Sequence, residues 1–438
     1  RWIGFKLTEK VKQYISQYIN ENQNVKFRNI NINNLSAGRV QTPVLNWIVS
    51  RYELYNRHKA RIYYATVKID ENLKLNFYVI KSQNSPIKKN AKVCIKIKSA
   101  EKKEDILNPL PPYTTDTLLY DANTFYGISA QETMKIAQDL FELGLITYHR
   151  TDSTRVSNTG IAIAENYLKE KLGEEYVKIF KPRSWGEGGA HEAIRPTRPL
   201  DEEQLRLLID EGELELAKKL TNNHFRIYDL IFRRFITSQL APLNVIKERI
   251  EYEGYEDCEK EETKLTLLQN VSEFITSINF PINIQDYSKF LYIPTTRIIK
   301  GSIVDKIKGR TEFEAVLQGS FVKSIIIEDS QIKEIDLYTQ ADVVNEMKKK
   351  QIGRPSTYAT IINTLLKRYY VIETKKSKRL IPTPLGIEVN KYLNQKYSKF
   401  VSEERTRGLL ALMDKIEAGN ENYINVLNEV YKEISEIR

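Results

Sequence analysis

The chain has 438 residues and a mass of 51.1 kDa, enough for roughly two to four domains, and its 41% hydrophobic content is enough to build their cores. Sixty-seven Lys and Arg against 57 Asp and Glu give a formal charge of +10, which favours a polyanionic partner, although a basic balance also serves solubility. No apolar run approaches a membrane span, and Cys94 and Cys258 stand outside any C-x-x-C pair, which argues against a spanning helix, a zinc ribbon and a disulfide framework; both thiols are expected to be buried or incidental.

In chain order, Ile62 to Ile69 and Leu73 to Val79 are rich in aromatic and β-branched residues and read as strands, and Val93 to Lys98 alternates. Pro109, Pro111 and Pro112 then end regular ladders. The run Ser129-Ala130-Gln131-Glu132 reads as a capping box; behind it Met134, Ala137, Leu140 and Phe141 fall on one helical face, and Gly144 ends the helix in a left-handed conformation. Leu145 to Tyr148 reads as a short strand. Strand-like material returns from about Val245 to Ile327, interrupted by an acidic patch from Glu251 to Glu262. Ser356 reads as the N-cap of a helix bearing Ile361, Ile362, Leu365 and Leu366. Tyr370 to Ile372, the basic turn Lys375 to Arg379 and Leu380 to Pro382 come next as strand, turn and returning strand. Helix and cationic hairpin make a winged-helix pattern, although a charged turn is also an ordinary solvated loop.

The chemistry concentrates between Gly144 and Arg155, where a phenol (Tyr148), an imidazole (His149), two guanidiniums (Arg150 and Arg155), a carboxylate (Asp152) and several hydroxyls stand side by side. A tyrosine hydroxyl, with an ordinary pKa of roughly 10, attacks phosphorus poorly unless cations stabilise the developing charge. Arg150 is placed to supply that charge. The same residues also fit an ordinary helix-to-strand junction with a polar end.

The segment Gly144-Leu145-Ile146-Thr147-Tyr148-His149-Arg150-Thr151-Asp152-Ser153 resembles the active-site motif of type IA DNA topoisomerases. Three further stretches resemble motifs of that family in its order: Leu35 to Pro43 its S-A-G-R-V-Q segment, Gly189 to Thr197 its A-H-E-A-I-R-P-T segment, and Ile352 to Ala359 its G-I-G-R-P-S-T-Y-A segment. Within the family, Arg1-Trp2-Ile3-Gly4-Phe5, His149, Ser184 to Gly189 and Tyr338-Thr339-Gln340 are most like the topoisomerase half of reverse gyrases.

The resemblance implies a mixed α and β multidomain fold, a toroidal core with winged-helix-like domains and a β-rich arch. The expected division is a base of residues 1–59 and 336–438, an arch of 60–107 and 236–335, and a tyrosine domain of 108–235 that lifts away to admit a second strand. It further implies that Tyr148 makes a 5′-phosphotyrosyl link, that Arg150 neutralises the phosphate, and that His191 lies beside it. Asp152 orients Arg150 or makes a structural salt bridge. Arg39, Gln41, Arg195, Arg354 and Ser356 are expected DNA contacts, with single-stranded regions preferred. His149 is expected to be a packing residue or a tautomer-satisfied core histidine, and Tyr358, Trp185 and Phe125 stack on bases or fill cores. The family's magnesium site is an acidic Toprim domain, and neither its D-x-D element nor an ATP-binding phosphate loop occurs here. Mg2+ and ATP are therefore expected through Toprim and helicase-like parts of a longer parent, with no metal or zinc site in this chain. Remaining expectations are a monomer, a cytoplasmic, nucleoid-associated location without a membrane, and a heat-adapted source, suited by few Cys and Met. The alternatives are a relaxing enzyme of the same family or, for this chain alone, a non-catalytic single-strand-binding clamp.

Overall fold

The computed structural model describes residues 2–437 apart from 23–26, 28–29, 70–73, 82–86, 188–190, 280–281, 283–301, 308 and 329–330. The chain opens with α1 (Trp2–Glu21), α2 (Gln41–Arg57) and three strands, β1 (Lys59–Lys68), β2 (Lys74–Ile80) and β3 (Lys92–Leu107). Five helices follow: α3 (Thr115–Tyr126), α4 (Ala130–Glu142), α5 (Asn158–Leu172), α6 (Glu202–Asp210) and α7 (Asn222–Ser238). The chain then returns to strands with β4 (Leu243–Tyr255), β5 (Lys264–Leu265) and β6 (Val271–Asn279), the short α8 (Ile303–Ile307), β7 (Glu312–Glu328) and β8 (Gln331–Glu334). It closes with α9 (Gln340–Lys349), α10 (Tyr358–Lys367), β9 (Val371–Glu373), β10 (Leu380–Pro382), α11 (Pro384–Val401), α12 (Glu403–Glu417) and α13 (Tyr423–Ser435).

Strands from both halves of the chain share one antiparallel sheet in the order β2-β1-β7-β3-β4-β5, with β6 on β4 and β8 on β7. Strand β7 holds it together, since Glu312–Val316 pair with β3 while Leu317–Ser324 pair with β1. One sheet core gathers Val67, Phe77, Ile95, Ile250 and Leu317. A second core lies among α3 to α7, with Leu118, Ala137, Leu140, Ile146, Ile194, Ile231 and Phe235. A third joins the two chain ends: Leu7, Val11 and Ile15 of α1 and Val44 and Ile48 of α2 pack with Val343, Met347, Ile362, Leu365 and Val389. Leu119 and Ala130 from the middle of the chain are also buried in this third core.

The structure corrects several expectations. Cys94 and Cys258 form a disulfide across 164 residues, with Cα atoms 5.6 Å apart. The β3–β4 register places Cys94 opposite Tyr255, so a turn of three residues brings Cys258 back onto it. The first part of the acidic patch is strand: Ile250, Tyr252 and Gly254 are buried along β4 while Glu251 and Glu253 are not. Helix α7 runs to Ser238, and its Phe235 and Ile236 belong to the second core. Ser356 lies in a turn, and the residue before α10 is Thr357, whose hydroxyl accepts from the Arg354 N–H at 2.9 Å. The winged hairpin forms as read, β9 and β10 pairing across the basic turn. No helix among the described residues is long and apolar enough to cross a membrane.

Candidate active site

Tyr148 owes its position to two clamps on either side of it. Ser129 Oγ accepts from the Glu132 N–H at 3.2 Å and starts α4, whose Ala137 and Leu140 are buried. Gly144 stops the helix with φ +70°, a conformation costly for a residue with a Cβ. Past this stop, one isolated bridge joins Ile146 to Pro196, where a short strand was expected. The Thr147 N–H donates to the Arg195 carbonyl at 2.9 Å, and the Thr147 hydroxyl donates to the Ala193 carbonyl at 2.7 Å. Beyond the tyrosine, the buried Thr115 hydroxyl donates to the His149 carbonyl at 2.7 Å and accepts from the Thr151 N–H at 2.9 Å. Backbone groups before and after Tyr148 are therefore fixed while its side chain stays 40% exposed.

Three rings surround the phenol. Phe141 stands edge-on at 5.3 Å between centroids, His149 at 5.5 Å, and His191 at 6.3 Å. His191 is exposed, and its carbonyl accepts from Arg155 Nε at 3.4 Å. Gly188, Gly189 and Ala190 of the expected histidine motif lie outside the described residues. Arg150 is exposed and makes no ion pair among the described residues, so its charge is available to a ligand. Asp152 is exposed too, and with Lys348, Arg354, Tyr358 and Asp414 it lines a cleft of about 330 Å³. Burial, then Asp116 and Asp152, push the Tyr358 phenol up to about 12, which keeps it neutral. His149 is the packing residue of its two expected roles, without the hydrogen bonds of the other. It is fully buried, both ring nitrogens lack a hydrogen-bond partner among the described residues, and burial aided by Arg150 pushes it down to about 4.

The expected DNA contacts divide. Arg195 is buried and turned inward: Nε and Nη2 hold Glu192 at 2.9 and 2.5 Å, Nη1 the Pro196 carbonyl at 3.0 Å, and Nη2 Ser157 at 3.3 Å. Gln41 is likewise buried, its Nε2 donating to the Ser36 carbonyl at 3.1 Å, which closes the loop before α2. Arg354 is half-buried and grips both Asp414 oxygens at 2.6 Å, so a phosphate must compete with that carboxylate. Ser356 is exposed. Arg39 lies half-buried against Met413 Sδ at 3.6 Å, in an apolar groove with Trp2 and Tyr423, and burial there disfavours its charge. Tyr358 is buried, and Trp185 Nε1 donates to the Ser238 carbonyl at 3.2 Å, so both serve the cores. Sequence reasoning passed over Thr115 and gave Thr147 and Arg155 no separate role; Thr115 opens α3, and nothing in the chain foretells its bond 34 residues away.

One group of three potential metal ligands converges among the described residues, Cys94, Cys258 and Glu312. It sits on the sheet with its sulfurs bonded to each other, and disulfide sulfurs do not suit Mg2+, which takes hard oxygen ligands. These residues do not fit the magnesium that the family uses.

The sequence matches the DNA topoisomerase family profile over residues 1–428. It is 65% identical to reverse gyrase 2 of Sulfurisphaera tokodaii over 448 residues, covering all of this chain and 35% of that protein. To the reverse gyrase of Pyrococcus furiosus it is 44% identical over 434 residues, covering 99% of this chain and 31% of that one. The fold is similar to that of full-length topoisomerase I from Thermotoga maritima, with a TM-score of 0.62 and 27% identity over 92% of this chain and 63% of the other. The chain thus spans about a third of the length of these reverse gyrases. With the tyrosine motif held in an exposed, clamped segment and matches running through nearly the whole chain, the protein belongs to the type IA DNA topoisomerase family.

Proposed function

We propose that this chain is the strand-cutting portion of a reverse gyrase and that Tyr148 is its nucleophile. The observation that carries this reading is the exposed phenol of Tyr148 on a clamped backbone, with the guanidinium of Arg150, unpaired among the described residues, two residues on and the His191 ring 6.3 Å away. Tyr148 Oη attacks the phosphorus of one strand; the bond from phosphorus to the 3′ oxygen breaks, and the phenolic proton ends on the released 3′ hydroxyl. One phosphoester replaces another, so the cut needs no ATP, and the reverse reaction reseals the strand. Arg150 meets the charge that grows on the non-bridging oxygens. A ring N–H of His191 donates a hydrogen bond to the same phosphate. The parent's Toprim region would hold Mg2+, which supplies further charge neutralisation when bound.

The three cores support a division into a base, an arch and a tyrosine body close to residues 1–59 with 336–438, 60–107 with 239–335, and 108–238. In this reading the tyrosine body parts from the base while its strand end is covalently held, and a motor half of the parent biases the linking number upward. The test is a labelled single-stranded oligonucleotide with Mg2+ and the full-length parent, resolved in denaturant. A protein-linked band that Tyr148→Phe abolishes is expected. Such a band surviving in that variant overturns the assignment, and the chain alone, with and without a Toprim fragment, separates a cutting enzyme from a binding clamp.

A further inference from the structure

Resting on the reading that the tyrosine body parts from the base, we infer that the two are held by a clasp of exchanged helix caps, and that the basic turn of the wing releases it. Two side-chain amides cross between the bodies. Asn123 of α3 accepts with Oδ1 from the Ala341 N–H in the first turn of α9, at 3.1 Å. Gln340, at the start of α9, accepts with Oε1 from the Ala130 N–H at the first position of α4, at 2.9 Å. Both amides are buried. Each body thus satisfies an N-terminal donor that a helix cannot pair within itself. Lys348 faces Asp116 across the same junction at 3.6 Å.

On the apolar side, Leu119 and Ala130 are buried in the base core and Met134 packs against it. Opening lets water replace the exchanged caps, so the polar part of the contact costs little to break.

The free ends of the clasp lead to the wing. Gln340 Nε2 donates to Glu373 at 2.8 Å, and the other oxygen of Glu373 faces Lys378 at 3.6 Å. Lys378 also lies over the end of α3, its Cε 3.7 Å from where a Cβ on Gly127 would stand. A backbone phosphate that draws Lys378 away removes the counter-charge of Glu373 and the contact on Gly127 together. The clasp then loses its brace at the moment DNA occupies the wing.

Hydrogen exchange on the full-length parent reads the two amides directly, with a single-stranded oligonucleotide as the probe. In the unmodified protein the Ala130 and Ala341 amides are expected to be protected and to lose protection together when the oligonucleotide binds. Gln340→Glu sets two carboxylates against each other and should speed exchange at both amides by roughly two- to twelve-fold, the population shift that one net hydrogen bond controls. Adding Glu373→Gln restores the pair and the protection. Glu373→Gln alone keeps the resting protection and loses the response to DNA. Adduct formation on the oligonucleotide should stay at the unmodified rate in all three variants, while the rate of linking-number change shifts in Gln340→Glu. Exchange at Ala130 rising without Ala341, or a full response to DNA in Glu373→Gln, overturns the clasp. Absence of any adduct in the unmodified parent overturns the proposed function instead.

Discussion

Two guanidiniums from the expected site differ in burial, and burial decides what each does. Arg195 is 6% exposed and makes four hydrogen bonds, two of them to Glu192, whereas Arg150 is exposed and makes none among the described residues. Truncating a buried charge partner strands the other charge, so Arg195→Ala should cost about 3–5 kcal/mol in a denaturant titration. Arg150→Ala should leave that titration within about 0.5 kcal/mol and slow cleavage by roughly 10²- to 10³-fold, with a much smaller loss of DNA affinity. Equal loss of cleavage and affinity would make Arg150 a binding residue only. His149 gives a pH dependence. Its folded value, about 4, lies below the ordinary 6.5, so between those pH values the unfolded chain carries a proton that the folded one does not. Stability is therefore present above about pH 6.5 and falls as the pH drops toward 4, by roughly 3 kcal/mol at most. Denaturation midpoints at pH 7 and pH 5 should differ less in His149→Leu than in the unmodified chain, and an unchanged difference would mean that this imidazole is already paired or charged.

At the scale of elements, the disulfide is the feature with the clearest consequence. Cys94 and Cys258 join β3 to the turn after β4, closing a loop of 164 residues that includes Tyr148 and helices α3 to α7. Cross-links of this kind stabilise by about 2–4 kcal/mol, in part by restricting the unfolded chain. A reductant should lower the melting temperature of the unmodified protein and leave a Cys94→Ser/Cys258→Ser variant unmoved; equal sensitivity of the two would place the effect elsewhere. The bond was illegible in the sequence, because pairing of distant cysteines depends on strand register, and register is set by partners far along the chain. What was legible is local. The Ser129 cap, the Gly144 stop and the β9–β10 hairpin each depend on residues within a few positions, and each formed. Ile146 did not extend into a strand, because a single bridge to Pro196 offers no continuing ladder: proline has no N–H to give. Among the candidate site residues, Tyr148 and Arg150 stood out by their chemistry beside a stop signal, whereas residue type alone does not foretell that Gln41 turns onto the Ser36 carbonyl or Arg195 onto Glu192 and the distant Ser157.

Across the whole molecule, the charge of +10 is an excess that internal pairing leaves over, and under the proposed function the unpaired cations are where DNA should be met. Lys98 and Lys264 share Glu253, Arg354 is taken by Asp414 and Arg405 by Glu433, so these charges are partly silent toward a polyanion. Arg150 on the tyrosine body and Lys375 and Lys376 on the exposed turn of the wing have no ion-pair partner among the described residues. If the proposed clasp lies between these two sets, a strand touching both crosses it. Each phosphate neutralised on a single strand contributes about 0.7 to the slope of log affinity against log salt. Arg150→Ala should therefore shallow that slope by about 0.7 and Lys375→Gln/Lys376→Gln by about 1.4, while Arg195→Ala, measured where it remains folded, should leave it unchanged. Combining the first two should add their effects if one strand lies across both bodies at once, and fall short of the sum if separate strands occupy each. A slope that none of the three variants moves would detach the surplus charge from DNA binding altogether and leave solubility as its reason.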